Sequence, residues 1–274
     1  MPDQASKCAV FADLHQAPNT WLIPNPWDVG SARLLQGLGY KALATTSSGF
    51  AYTLGRADGE VSLDEKLRHC SELCAATSIP VNADFENGFA DDLPGLCENI
   101  KRLLETGIAG LSIEDYSRDQ KLVYPLDQSV ERIEAAVQTI RDAGIPVLLT
   151  ARAENLIRGV DDQEETLERL QAYAAAGADV LYAPGLVEME HVEWFVKETD
   201  KPLNVLAPFV RGATMDKFNA AGVCRISTGG ALAWAAVNPL LLAGREMLEQ
   251  GNFDWLKSMA KGTEIQSLLR DPAE

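Results

Sequence analysis

Histidine is scarce in the 274-residue chain: His15, His69 and His191 are the only three, and they stand far apart. That excludes the histidine-containing clusters that hold zinc. Cysteine is sparse too. Cys8, Cys70, Cys74, Cys97 and Cys224 form no C-x-x-C pair. An odd count without paired spacing reads as reduced thiols, mostly packed in the interior of a cytoplasmic protein. Basic residues fall short of acidic ones, 24 against 40, for a formal charge of −16. Such a chain lacks the basic patches that nucleic-acid backbones and anionic membranes require. No apolar run approaches the roughly 20 residues of a membrane span. The opening MPDQASKCAVFADLHQ has no apolar signal-peptide core. The expectation is a cytoplasmic protein that takes cations locally and small anions in a shielded pocket, with no nucleic-acid or membrane partner.

What is present is a recurring pattern. A helix-like stretch ends at a glycine, and a short β-rich run follows, as in LQGLGYKALATTS, LLETGIAGLSIED, IRDAGIPVLLTAR, YAAAGADVLYAPG and FNAAGVCRISTGG. The glycine is the residue after the helix, where a left-handed backbone costs least. The apolar runs lack strict alternation, so they read as strands covered on both faces, as in a parallel sheet. With WLIPNPWD, SIPVNADFE and KPLNVLAP this predicts eight strands, roughly at 20–24, 42–46, 80–84, 109–113, 146–150, 179–183, 203–206 and 223–227. Helices are predicted between them, among them Leu63–Thr77, Asp92–Glu105, Val130–Ala143 and Glu164–Ala176, with an extra one over 3–15. Eight βα units without a linker argue for a single (β/α)8 barrel spanning 1–274, close to the roughly 250 residues usual for that fold. An open doubly wound sheet is the alternative. C-terminal helices follow, and Gly230–Leu248 is apolar nearly all round, more than one surface helix needs.

In such a barrel the chemistry sits at the C-terminal strand ends. There the second strand ends in Thr45-Thr46-Ser47-Ser48-Gly49, and its loop carries Asp58 in GRADGE. The third ends in Asp84-Phe85-Glu86-Asn87-Gly88, the fourth in Ile113-Glu114-Asp115, the fifth in Ala151-Arg152-Ala153-Glu154. Acids on neighbouring strands converge on one side of the mouth. They stay ionised together only around a cation. All-oxygen ligands with room for water point to Mg2+, with Mn2+ as the alternative. Asp84, Glu86 and Glu114 are the strongest candidates, while Asp115 and Glu154 read as supports. The planar fork of Arg152 suits a substrate carboxylate, the alternative being a salt-bridge partner of Glu114 or Glu154. The Ser227–Gly230 turn, STGG, is a second candidate anion site or else a packing turn.

Taken in order, the TTSSGFA turn, LGRADGE, the D-x-E-x-G-F segment at Asp84–Phe89, the IED at 113–115 and the AR-E at 151–154 resemble the isocitrate lyase / phosphoenolpyruvate mutase superfamily. The resemblance implies a (β/α)8 barrel whose last helix is swapped between subunits, here within 230–274, in a homodimer or homotetramer. It implies Mg2+ and a small α-oxo or α-hydroxy acid substrate. By position, Asp84 matches the direct metal ligand. Asp58, Glu86 and Glu114 match partners that hold metal-bound waters. Ser48, Gly49 and Phe50 match the turn that holds the substrate, and Arg152 matches the arginine that grips it. One departure stands out. Isocitrate and methylisocitrate lyases carry K-K-C-G-H in the gating loop after the fourth strand. Here that loop, 116–124, reads YSRDQKLVY, with no cysteine.

The implied reaction is a Mg2+-dependent C–C cleavage or decarboxylation that leaves a pyruvate-like enolate, stabilised by the metal and backbone N–H groups. Tyr52, Tyr116, Lys121 and a metal-bound water are the candidate proton donors. Lys121 alone resembles the loop lysine of the phosphonate-processing members. The alternatives are phosphonopyruvate hydrolase or phosphoenolpyruvate mutase chemistry, and a barrel that binds an oxo acid without turnover.

Overall fold

The computed structural model describes residues 2–270; the last four residues of the expected tail, 271–274, lie outside the described residues. Eight strands form one parallel sheet: β1 (Trp21–Ile23), β2 (Leu43–Ala44), β3 (Val81–Asp84), β4 (Gly110–Glu114), β5 (Leu148–Arg152), β6 (Val180–Tyr182), β7 (Leu203–Leu206) and β8 (Arg225–Ser227). Their order is β1-β8-β7-β6-β5-β4-β3-β2, so β1 and β2 are the two ends. The Ala44 N–H donates to the Pro24 carbonyl at 3.0 Å and draws those ends together. The sheet is thus a nearly closed barrel, the architecture expected.

The helices form where local chemistry satisfies their free N–H groups. Ser62 and Glu65 make a reciprocal capping box that starts Leu63–Ala76. The helix Leu126–Ala143 ends on left-handed Gly144. This helix begins four residues earlier than expected, directly after Pro125. Strand β5 sits two residues later than expected. A tight turn, with Val147 N–H bonded to the Ile145 carbonyl at 2.8 Å, uses up the start of that apolar run.

Alternation along the strands sorts residues into two layers. Val81, Ala83, Leu111, Ile113, Leu149, Ala151 and Val205 are buried in the main hydrophobic cluster with Leu96, Ile100, Ile133, Leu170 and Phe195 of the surrounding helices. Their neighbours Asn82, Asp84, Ser112, Thr150, Asn204 and Arg225 are polar and give the barrel a hydrophilic interior. The N-terminal helix Gln4–His15 packs beside it. Its Phe11 ring approaches Gly110 so closely that a Cβ there would lie 2.5 Å from it.

The gating segment is folded as an antiparallel hairpin, Tyr116–Ser117 with Leu122–Val123. Asp91 ties it down, accepting from Ser117 Oγ at 3.1 Å, Gln120 Nε2 at 2.9 Å and the Tyr124 hydroxyl. After β8, Ala231–Gln250 runs outward with Leu240, Leu241, Leu242 and Leu248 exposed. The chain then returns, and the helix Gly262–Leu269 docks on Val29–Gly37. Among the described residues no helix is long and apolar enough to cross a membrane.

Candidate active site

The barrel register brings the predicted acids together. Glu114 stands opposite Arg152 across the β4–β5 ladder, and Asp84 opposite Ser112 across β3–β4. Arg152 Nη1 lies 3.3 Å from Asp84 Oδ1 and 3.5 Å from Glu114 Oε2. Its Nε donates to Glu154. The second Asp84 oxygen accepts the Ser47 N–H at 2.9 Å, which joins the metal-ligand candidate to the substrate turn. Burial favours the neutral form of Asp84, but Arg152, Lys66 and the Ser47 N–H outweigh it and leave the carboxyl below its ordinary pKa.

Glu86 and Glu114 behave otherwise. Burial pushes the Glu86 carboxyl up to about 7, although Arg118 opposes the shift. Glu114 is pushed well above the carboxylate range by burial and then by neighbouring Glu154. Guanidinium nitrogens of Arg152, Arg118 and Arg158 surround it at 3.5, 3.9 and 4.0 Å, yet neither of its oxygens accepts a hydrogen bond. Glu86 adopts φ +50°, a left-handed backbone that carries strain in a non-glycine residue. Arg132 holds that turn by donating to the Asn87, Ala90 and Asp91 carbonyls.

The Mg2+ that the sequence motifs imply can be tested against this donor set. Among the described residues no three His, Cys, Asp or Glu side chains cage a metal. Asp84 lines a cavity with Arg152, while Glu114 and Glu86 line adjoining hollows with Arg152 and Arg118. The two unpartnered Glu114 oxygens are buried acceptors without donors, a condition that a hydrated cation relieves. One direct contact from Asp84, with the other acids reached through water, fits that arrangement.

Not every candidate joins the cluster. Asp58 is half-exposed and reaches it only through Arg118, 3.5 Å away. Ser48 Oγ lies 3.3 Å from Thr46 Oγ1 in the turn beside Asp84. Gly49 N–H is spent on Thr46 Oγ1, and the Phe50 ring stacks on His69 at 3.8 Å. The Tyr116 ring is covered by the Arg158 guanidinium at 3.7 Å. Lys121 is exposed at the hairpin tip with φ +55°, away from the acids. Tyr52 packs against Trp234. The Ser227–Gly230 turn holds no free anion cradle, because the Thr228 and Gly229 N–H groups both donate to Asn25 Oδ1.

Four site residues went unforeseen. Arg118 sits among the acids. Buried Lys66 donates to Thr45 Oγ1, which also accepts the Asp84 N–H, at 3.0 and 2.8 Å. Tyr182 and Arg225 line the same cavity as Asp84 and Arg152. A helical stripe in the sequence already pointed to Lys66, which falls between Leu63, Leu67 and Cys70 on the buried face.

Residues 11–248 match the family model described as phosphoenolpyruvate phosphomutase. The chain belongs to that family. It is 42% identical to a crystallised protein of Burkholderia cenocepacia J2315, described only as a lyase/mutase, with 98% and 97% of the two chains covered and a TM-score of 0.93. It is 28% identical to the 2-methylisocitrate lyase of Aeropyrum pernix, over 95% of this chain and 86% of that one. It is 26% identical to the oxaloacetate decarboxylase of Chromohalobacter salexigens, over 83% and 80%.

Proposed function

We propose that the protein is a Mg2+-dependent enzyme that breaks a C–C bond, by retro-aldol-type cleavage or decarboxylation, in a small α-oxo or α-hydroxy di- or tricarboxylic acid. The observation that carries this reading is the convergence of Asp84, Glu86 and Glu114 beside Arg152, with both Glu114 oxygens unpartnered. Bound there, Mg2+ supplies Lewis acidity toward the substrate oxo or hydroxyl oxygen. Asp84 holds the metal, and Glu86, Glu114 and Asp58 hold its waters. Arg152, fixed between three carboxylates, presents its remaining N–H groups to the substrate carboxylate. The Ser48–Phe50 turn, hydrogen-bonded to Asp84 through Ser47, orients the oxo end.

A proton must reach the enolate carbon. Tyr182 lines the cavity, and burial raises its hydroxyl to about 12, so it carries its proton at neutral pH. Lys121 and Tyr116 stand outside that cavity, and this favours Tyr182 as the donor. The hairpin at 116–124 closes over the mouth and excludes water that would quench the enolate elsewhere. The exposed apolar face of Ala231–Gln250 supports a homo-oligomer in which this helix is covered by another subunit.

The test is a panel of oxo- and hydroxy-acids with Mg2+, read by coupled pyruvate and glyoxylate detection. Turnover that is lost with chelator and absent in Tyr182→Phe is the expected result. Phosphate release from phosphonopyruvate, with no carbon acid cleaved, would replace C–C cleavage by P–C chemistry. Tight oxo-acid binding without turnover of any compound would make the barrel a binding protein.

A further inference from the structure

Below the acid cluster, Arg225 on β8 points into the barrel interior. It is 3% exposed. Its Nε donates to Asn204 Oδ1 at 2.8 Å, its Nη2 to Thr150 Oγ1 at 3.1 Å, and an Nη1 proton to His15 Nε2 at 3.1 Å. All three partners are neutral. The His15 imidazole is held neutral because burial and then the Arg225 charge depress its pKa to about 3, and its Nδ1–H is spent on the Phe11 carbonyl. Burial lowers Arg225 too, to about 10, which leaves it a cation at neutral pH. Among the described residues no carboxylate pairs with it. A buried guanidinium without a counter-charge is costly, and proteins normally supply one.

The guanidinium forms part of the wall of a cavity of about 50 Å³ that reaches up to Asp84 and Arg152. One water needs roughly 10–15 Å³ on the same measure, so the space holds a few waters or one small ion. Its wall is polar. The Asn82 side chain is 4% exposed and its Oδ1 has no partner. Turned over, that amide offers an N–H instead and gives up only the long 3.5 Å contact of its Nδ2 with the Ala83 carbonyl. Ser227 Oγ accepts from Asn204 Nδ2 at 3.0 Å and directs its own proton toward the Tyr182 hydroxyl. Asp84, the acid that shares the cavity, is already engaged by Arg152 and the Ser47 N–H.

We propose that this chamber is an internal anion site, in which the Arg225 guanidinium, with the Asn82 amide beside it, binds one small monovalent anion, a halide or a carboxylate. The anion supplies the counter-charge that the chain omits. The site shares its cavity with Arg152 and Tyr182 of the proposed reaction, but its test reads anion binding without substrate and so stands or falls apart from that reading. A carboxylate can come from solution or from one end of a bound acid.

Two variants of the full chain and one diffraction experiment test it. In a gluconate buffer of constant ionic strength, chloride or formate should raise the melting temperature of the wild-type protein in a saturable way. Arg225→Met should lose that response. Asn204→Asp puts a carboxylate where Asn204 Oδ1 now meets Arg225 Nε, so this variant should be stable without added anion and should no longer respond. A response to chloride assigns an inorganic ion. A response to formate alone assigns a carboxylate, and loss of the formate response in protein saturated with an oxo acid assigns that carboxylate to the acid. Crystals soaked in bromide should show anomalous density against Arg225. Water alone in the chamber, or an anion response undiminished in Asn204→Asp, overturns the proposal even if Arg225→Met fails to fold.

Discussion

The Nε of Arg118 lies 2.8 Å from Glu86 Oε2, so the gating hairpin places a positive charge inside the acid cluster. The same guanidinium reaches Asp58 at 3.5 Å and Glu114 at 3.9 Å. Gly59 makes room for it, since a Cβ there would fall 2.3 Å from Arg118 Nη1. Arg118 thus partly neutralises the acids proposed to hold the metal waters, and a divalent cation must work against that charge. Arg118→Ala should bind Mg2+ more tightly, by roughly tenfold or about 1.4 kcal/mol. The hairpin loses its ion pairs to the acids and should be cut faster by protease. Calorimetry giving an unchanged or weaker Mg2+ affinity would remove Arg118 from this role.

Asp84 and Asp58 should differ in their effect. Asp84 is bonded to the Ser47 N–H and faces Arg152, whereas Asp58 is half-exposed and paired only with Arg118. Asp84→Ala should abolish Mg2+ binding and turnover while the circular dichroism stays that of a folded barrel. Asp58→Ala should weaken binding without abolishing it, because its contact runs through water. Equal Mg2+ affinities for Asp84→Ala and the wild type would refute the ligand assignment.

The strand ends were legible because their acids follow short apolar runs, and such runs in a parallel barrel leave little freedom of register. Glu114 and Arg152 face each other as a direct consequence. The hairpin was not legible. Nothing in YSRDQKLVY ranks Arg118 over Lys121, and the choice depends on a turn that puts Lys121 at the tip with φ +55°. Arg225 was also hidden. It falls in an apolar run, and only the alternation with Ser227 turns it inward beside Asn204. Tyr182 lies at a strand end and could have been read by the same rule as Arg152.

A pH effect follows from His69. Its ring is 2% exposed, stacks on Phe50 and bonds to the Trp27 carbonyl at 3.1 Å. Burial, and then the charge of Lys66, lowers its pKa from 6.5 to about 3. Between those values the unfolded chain binds the proton and the folded one does not. This contribution to stability is therefore complete above the unfolded pKa of 6.5 and is lost as pH falls toward 3. His69→Gln lacks the titration, so its stability should fall less steeply than wild type on acidification. Glu86, raised to about 7, has the opposite sign and favours the fold at lower pH. It is present in both proteins, so comparing the two melting curves isolates the histidine. Parallel curves would show that His69 is protonated in the folded state.

The helix Ala231–Gln250 carries Trp234, Leu240, Leu241, Leu242 and Leu248 at 50, 63, 49, 54 and 88% exposure. Single exposed leucines are ordinary, but a contiguous set on one helix marks a surface meant to be covered. The returning chain touches only its end, where the Trp255 N–H donates to Glu246 Oε1 at 3.3 Å, and leaves these side chains exposed, since Gly262–Leu269 docks on Val29–Gly37. The protein should sediment as a dimer or tetramer at micromolar concentration. Leu241→Glu together with Leu242→Glu should shift it to monomer and cost stability. A wild-type monomer at that concentration would leave the helix without an explanation.

Thiol chemistry tests the departure in the gating hairpin. No cysteine lies in residues 116–124, and the five cysteines are all free. Cys8, Cys70 and Cys74 are buried, and burial raises the Cys8 and Cys74 thiols to about 11 and 12. Burial raises Cys70 too. Thiols in that state are protonated at neutral pH and react slowly, since the thiolate is the nucleophile. Cys97 and Cys224 are half-buried, and Cys97 Sγ faces the Ala135 carbonyl while Cys224 Sγ faces that of His15. Neither lines the cavity that holds Asp84 and Arg152. Iodoacetamide at neutral pH should therefore leave turnover largely intact, with Cys97 and Cys224 the first to be alkylated in a mass spectrum. A proton carried by Tyr182 rather than by a thiol gives this result. Rapid inactivation, with substrate protecting, would mean that a cysteine enters the site when the hairpin moves, and Tyr182 would then lose its place as the proton donor.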